Sequence, residues 1–230
     1  MFGRTLNGLA LVAAAAVTSA CTVVGVRDGT EEPAYQVVGL VNGTEVRRYG
    51  PRLAAEVTVG GDEVAARSEG FSPLARFIFG ANESAAKVAM TAPVAQAPAE
   101  KIAMTIPVVQ GRAAGGANGG EWTIRFFMPS LYTEETLPRP KDPRVRIITV
   151  PGETYAVLRF RGSTGPDAVA AQKQRLIAAL ATGPWAAVAE PEAWFYDPPW
   201  SIPNLRRNEV VVRVAPRDPV TPPAPAAPPA

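Results

Sequence analysis

The sequence predicts an α+β fold with largely antiparallel pairing, assembled from two units of the same grammar. Three observations carry this. Short alternating apolar runs stand on both sides of two helical segments, so the order strands, helix, strands occurs twice along the chain. Asn42-Gly43 lies between two such runs, a strong signal for a two-residue hairpin and so for antiparallel neighbours. Each helical segment carries one apolar stripe, the pattern of a helix laid on a sheet. With 230 residues, 47% hydrophobic and 19% charged, there is material for one sizeable packed domain.

The chain begins with Arg4 ahead of a short apolar run, Leu9 to Val17, and then Thr18-Ser19-Ala20-Cys21. A run this short reads as a secretory signal, residues 1–20, and not as a spanning helix. The one cysteine, Cys21, directly after Ser-Ala resembles a bacterial lipoprotein cleavage site, where that Cys becomes the lipidated first residue; Thr18 departs from the usual Leu. Plain signal cleavage nearby and an uncleaved anchor are the alternatives. Each buried acyl CH₂ contributes about 0.8 kcal/mol, so lipidation would hold the domain on a membrane that its own surface does not seek. Thr22 stands where Asp would resemble an inner-membrane retention signal. In a Gram-negative cell this favours the periplasmic face of the outer membrane. Residues 21–34 then form the lipidated N-terminus and a tether, with Asp28 to Pro33 as breaker sequence.

Tyr35–Val41 and Glu45–Tyr49 flank the Asn-Gly turn, and Leu53–Val59 continues as a strand with Ala55, Val57 and Val59 on one face. Gly60-Gly61-Asp62 breaks the strand and caps a helix. That helix reads as two pieces, interrupted at Gly70, with Ser72-Pro73 starting the second and Gly80 at its C′ position. Leu74, Phe77 and Ile78 fall at i, i+3 and i+4, with Phe71 just ahead.

Next comes a stretch that says nearly the same thing twice. Lys87 to Gln96 and Lys101 to Gln110 agree at seven of ten positions. The second copy reads as a strand in which Ile102, Met104 and Ile106 alternate, with Pro107 at an edge or bulge. The first is more irregular. A glycine-rich loop spans 111–120. Beyond it, Glu121–Met128 is a strand, and Arg144–Val150 and Glu153–Arg161 are two strands around the turn dipeptide Pro151-Gly152. A helix from Gly165-Pro166-Asp167 to Ala181 carries Val169, Leu176, Ile177 and Leu180 on its apolar face. Trp194–Tyr196 and Glu209–Val214 are the last strands, separated by a proline-stiffened loop at 197–203. Residues 216–230 form a Pro- and Ala-rich tail too poor in large apolar groups to fold.

Composition excludes several chemistries. The chain has no histidine, which removes His-assisted nucleophiles, His-ligated zinc and the ordinary neutral-pH base. A single cysteine forbids an intrachain disulfide or a thiolate cluster. A formal charge of +2 gives no support for nucleic-acid binding.

Several longer motifs occur in order: E-V-R-R-Y at 45–49, G-F-S-P-L-A-R-F-I-F-G-A-N at 70–82, both K-x-A-M-T-x-P-V copies, F-F-M-P-S at 126–130, L-P-x-P-x-D-P-R-V at 137–145, and F-Y-D-P-P-W-x-I-P-x-L-R-R-N-E-V at 195–210. In these the chain resembles the SOUL family of heme-binding proteins over residues 35–215. The resemblance implies a distorted antiparallel β-barrel from two repeats, each a four-stranded sheet with one helix. It also implies heme or another tetrapyrrole as ligand. A His axial ligand, proposed within the family, is impossible here, so heme would need a Met or Tyr ligand or none. The other mode that the resemblance implies is an apolar surface beside the first helix with basic groups for the propionates. Phe71, Leu74, Phe77 and Ile78 are the apolar candidates, and Arg76, Lys87 or Arg67 the basic ones. Each has a plainer reading: the stripe faces the core, and Arg76 is a solvated surface charge. Met90 and Met104 read as core, Trp200 and Tyr196 as packing for the proline loop, and Asp142 and Asp197 as turn caps.

Three functions compete at this point. The first is a membrane-tethered, non-enzymatic tetrapyrrole binder. The second is a structural or protein-interaction lipoprotein that kept the fold without heme. The third is a hydrolase with Glu56 or Glu69 as base, for which no fixed spacing speaks.

Overall fold

A computed structural model describes residues 29–84, 99–113, 120–198 and 200–217. The signal segment, Cys21, Lys87, Met90, the first copy at 87–96 and the tail from 218 lie outside the described residues. The strands are β1 (Tyr35–Val41), β2 (Thr44–Tyr49), β3 (Arg52–Gly60), β4 (Asn82–Glu83), β5 (Val108–Arg112), β6 (Glu121–Phe127), β7 (Arg139–Pro140), β8 (Arg146–Val150), β9 (Glu153–Phe160), β10 (Trp185–Ala187), β11 (Glu192–Phe195) and β12 (Asn208–Pro216). The helices are α1 (Glu63–Ile78) and α2 (Pro166–Leu180).

One antiparallel sheet runs β1-β2-β9-β12-β11-β5-β6-β3-β8, with β10 added against β12 and a separate β4–β7 pair. Among the described residues its end strands β1 and β8 do not pair with each other, so this is a curled, open sheet, an α+β half-barrel with two helices. On one side of the β11–β5 seam the order is β9-β12-β11. On the other it is β3-β6-β5. A helix follows β9 in the first case and β3 in the second.

The Asn42-Gly43 hairpin forms as its residues require. Both sit at positive φ, 47° and 77°, the pair of values a primed two-residue turn needs. The Pro151-Gly152 hairpin does not form. β8 pairs with β3, and β9 pairs with β2. The links β2–β3 and β8–β9 therefore cross. A Cβ on Gly152 would lie 3.3 Å from the Tyr49 carbonyl and 3.5 Å from Pro51 Cδ, so this glycine serves a close chain crossing.

α1 starts where the sequence places it: the Asp62 carboxylate accepts from the Val64 and Ala65 N–H groups, each at 3.0 Å. It is one helix, however, and not two. Gly70 is there for contact with the sheet. A Cβ at that position would meet Ile124 Cγ1 at 2.4 Å and Val57 Cγ1 at 3.3 Å. Pro73 removes only one backbone donor, and Glu69, four residues back, is exposed. Gly80, at φ 114°, ends the helix as expected. Gly70→Ala is expected to destabilise by about 1–3 kcal/mol through overpacking, more than the gain of up to about 1 kcal/mol in helix propensity. Urea denaturation would measure it.

The sheet's two faces bury different cores, as a period of two dictates. Under α1 lie Val57, Trp122, Ile124 and Phe126 with Leu74, Phe77 and Ile78. Under α2, Val210 and Val212 meet Val169, Leu176 and Leu180. Ile177, expected on that stripe, is 41% exposed. On the concave face the intervening residues form a third core around Tyr49, Phe127, Tyr155, Trp194 and Val211.

The second copy corrects another expectation. The ladder begins at Val108, after Pro107, because residues 101–104 pair with no strand among the described residues. The Ile102 N–H donates to the Ile78 carbonyl at 2.9 Å, and the Thr105 hydroxyl donates to the Phe127 carbonyl. Ile102 and Ile106 are buried, while Met104, read as core, is exposed.

Candidate functional site

The residues singled out on α1 separate into two sets. Leu74, Phe77 and Ile78 face the sheet and are buried. Phe71 is 39% exposed, with its ring edge-on to Phe126 at 5.3 Å. Arg76 is exposed, and Phe79, one residue past the helix, is 64% exposed. The outward side near the helix end thus offers Phe71, Arg76 and Phe79. Asn82 ties it to the following segment, donating to the carbonyls of Phe77 (2.8 Å) and Glu100 (2.7 Å). Arg67 is engaged internally: Nε donates to Gln110 at 2.7 Å, both terminal nitrogens reach the Thr164 carbonyl at 3.2 Å, and the guanidinium stacks on Phe195 at 4.1 Å.

A concavity of about 570 Å³ lies where the start of α1 and the outer side of α2 approach the sheet. Trp122, Val169, Ile177 and Ala178 supply its apolar lining, and Arg112, Lys173, Glu63 and Glu190 its charges. The Trp122 ring is fixed by its Nε1–H, which donates to the Gly61 carbonyl at 3.2 Å, and Arg112 lies over that ring at 5.0 Å. Burial lowers the Lys173 pKa from its ordinary value, against the pull of Glu63 and Glu192. Glu63 Oε1 is buried with no donor among the described residues. Sequence reading missed this cleft because its walls come from segments far apart in the chain. The local signal was the outward pair Lys173 and Ile177 at i, i+4.

The concave face carries a buried ionic network that joins two of the sequence motifs. Glu209, fully buried, accepts from Arg47 Nη1 at 3.0 Å, from Arg207 Nη2 at 3.0 Å and from the Tyr196 hydroxyl at 2.6 Å. Arg47 also pairs with Glu45, and Arg207 with Glu32. Burial works to lower the Arg47 pKa, but Glu209, Tyr49 and Glu45 together outweigh it and the net direction is upward. Burial pushes Tyr49 up to about 12 from 10.0 and raises Tyr155 and Tyr196 as well, the latter reinforced by Glu209. A tyrosine held neutral in the fold binds its proton more tightly there than in the unfolded chain. Stability is then fully present below pH 10 and falls as pH rises from about 10 toward 12. Denaturant midpoints measured between pH 8 and 11.5 are expected to drop over that window.

Neither carboxylate considered as a base combines burial with a free oxygen, as that role would need. Glu56 accepts from Arg125 Nη2 at 2.9 Å and from Arg146 Nη2 at 2.7 Å, so both oxygens are occupied. Glu69 is exposed. Among the described residues there is no group of three or more acidic, Cys or His side chains arranged to hold a metal ion. Asp142 caps a turn, accepting from the Arg144 N–H at 3.0 Å, whereas Asp197 accepts from the Arg207 N–H, ten residues on, at 2.6 Å and so ties the two ends of the proline loop together. Tyr196 packs inside, but Trp200 is 66% exposed and does not clamp the loop.

Comparison with known proteins places this architecture. A family profile described as SOUL heme-binding protein matches residues 30–213. Comparison with curated proteins gives no significant match. Among solved structures, the EcmrR C-terminal domain is similar at 9% identity, covering 80% of this chain and 99% of that one, with a TM-score of 0.53. A hydrolase encoded by lin2189 from Listeria innocua is similar at 12% identity, covering 77% and 94%, with a TM-score of 0.51. At such identities these two likenesses concern the fold alone.

Proposed function

Because the chain belongs to the SOUL heme-binding protein family, we propose that residues 35–215 bind heme or a related tetrapyrrole without catalysing a reaction on it. A porphyrin is a flat apolar disc with two carboxylates, so it needs apolar walls and cations at one rim. The cleft between the helices carries this reading. Its volume of about 570 Å³ lies within the range of about 300–1,000 Å³ usual for small-molecule sites. Trp122, Val169 and Ile177 would face the ring, and Arg112 and Lys173 the propionates. The iron would have no histidine ligand, since the chain contains none.

Hemin titrated against the protein from residue 22 is expected to bind saturably. Lys173→Glu and Arg112→Glu are each expected to weaken binding by about tenfold or more, the scale of one charge-assisted hydrogen bond. A hemin titration matching that of a non-binding control protein would sink the proposal.

A second seat is favoured by one observation, the exposed Phe79 beside Arg76 and Phe71. There Leu74, Phe77 and Ile78 would back the surface from beneath, and Lys87 would come from outside the described residues. Arg76→Glu separates the two: it weakens binding at this seat and leaves the cleft unaffected. A different function, a protein-interaction lipoprotein without a ligand, draws support from the apolar loop residues Trp200, Ile202 and Leu205, all exposed. Envelope crosslinking to one defined partner, with no porphyrin co-purifying, would favour it.

The remaining parts of the reading concern architecture and location. The matching strand orders on the two sides of the sheet support a duplicated unit. Residues 1–20 act as a signal peptide and 21–34 as a tether lipidated at Cys21, placing the domain in the cell envelope; the expected bounds shift at both ends, because Glu31 and Glu32 are docked on the domain and Pro216 and Arg217, expected to open the 216–230 tail, pair with Trp185 and Pro184. Cys21→Ser is expected to move the protein from the membrane fraction to the soluble one. Unchanged membrane retention would count against the tether.

A further inference from the structure

The concave face of the sheet holds an aromatic box with a cation already inside it. Arg52 is the first residue of β3, just after the crossing link Gly50-Pro51. Long basic side chains ordinarily lay the stem against protein and keep the head in water. Arg52 does the reverse. The residue is partly exposed, yet Nε, Nη1 and Nη2 are all buried, with no hydrogen-bond partner among the described residues. Its Cζ lies 4.4 Å from the Tyr49 ring centroid, 4.5 Å from Phe127 and 5.9 Å from Tyr155. Trp194 backs the box, with its centroid 5.6, 5.9 and 5.5 Å from those three rings in turn. The charged groups around the box are paired off. Glu153 accepts from the Tyr155 hydroxyl and pairs with Arg213, and Glu209 pairs with Arg47 and Arg207.

Aromatic faces attract cations through the ring quadrupole, and cages of such faces recognise guanidinium and quaternary ammonium groups. Burial pushes the Arg52 pKa down, so desolvation costs this guanidinium something, with Tyr155 and Tyr49 pulling the other way. What holds the head inside is attraction to the ring faces and to the Glu153 charge, set against the hydration it gives up. We propose that this box is a binding site for organic cations of the guanidinium or quaternary-ammonium class, closed in this conformation by Arg52 as an internal ligand. The site is separate from the cleft between the helices, and it stands whether or not a tetrapyrrole binds there.

Arg52→Ala empties the box. Ethylguanidinium titrated calorimetrically into this full-length variant is expected to bind at least tenfold more tightly than to the unaltered protein and to raise its Tm. N-ethylurea, of similar shape but uncharged, is expected to do neither. Arg52→Met refills the box with an apolar stem and is expected to fold and to bind neither probe. Equal responses to the two probes, or a folded Arg52→Ala that binds ethylguanidinium no better than the unaltered protein, would overturn the proposal. Should Arg52→Ala fail to fold, the unaltered protein decides. Benzyltrimethylammonium must then bind it saturably and quench tryptophan fluorescence, and must fail to do so with Arg52→Met. Absence of saturable binding to the unaltered protein in that case overturns the site.

Discussion

Glu209→Ala is expected to cost about 3–5 kcal/mol of folding stability, the loss typical of breaking a buried ion pair from one side. The carboxylate is fully buried and receives two guanidinium groups and a tyrosine hydroxyl. Removing it leaves Arg47, itself buried, with only the more exposed Glu45 as an ionic partner, and leaves Tyr196 without its acceptor. An orphaned buried charge is worse than no charge, because desolvation is no longer offset. Glu209→Gln keeps the shape and an acceptor oxygen, so it should cost less. Thermal unfolding gives the readout, at about 2–4 °C per kcal/mol for a chain of this size. An alanine variant within 0.5 kcal/mol of the parent, roughly the range of an ordinary surface substitution, would show that the network is not load-carrying.

Phe77→Ala is expected to cost about 3–5 kcal/mol, as deletion of a buried aromatic ring does. Phe79→Ala, two residues on, should lie within about 0.5 kcal/mol. The pair separates core from ligand surface on a single helix end. Phe77 sits against the sheet among Val57, Ile124 and Phe126, while Phe79 stands in solvent. If hemin binding is lost in Phe79→Ala with stability intact, the seat lies at the helix end and not in the cleft between the helices. Urea midpoints and hemin titrations on both variants give the comparison.

Much of the architecture was legible because it rests on local signals. The Asn42-Gly43 turn, the Asp62 cap, the Gly80 stop and both helices are written in a few neighbouring residues each. What the chain order hides is non-local. Pro151-Gly152 has the composition of a hairpin turn, yet the strands on either side of it pair with β3 and β2. Gly70 carries the signature of a helix break and is instead a contact point, since only the position of Ile124 explains it. The stripe Leu74, Phe77, Ile78 has the same spacing whether it faces a sheet or a ligand, and periodicity cannot choose. The motifs around Arg47 and Glu209 were visible as motifs. That they form one ion pair follows only from β2 and β12 both flanking β9. The cleft was invisible for the same reason.

The crossed links at Gly50-Pro51 and Pro151-Gly152 have a consequence for how the chain folds. β2 must wait for β9, and β3 for β8; Glu45 faces Val157 and Glu56 faces Arg146. Neither pairing can start as a local hairpin, so loop-closure entropy comes first and a slow approach to the native state follows. Each side of the sheet borrows its outer strand from the sequence preceding the other. A fragment ending before β8 would leave β3 with a bare edge, inviting association with other chains. The interlock joins the two sides into one sheet, so they are expected to melt together in a single calorimetric transition.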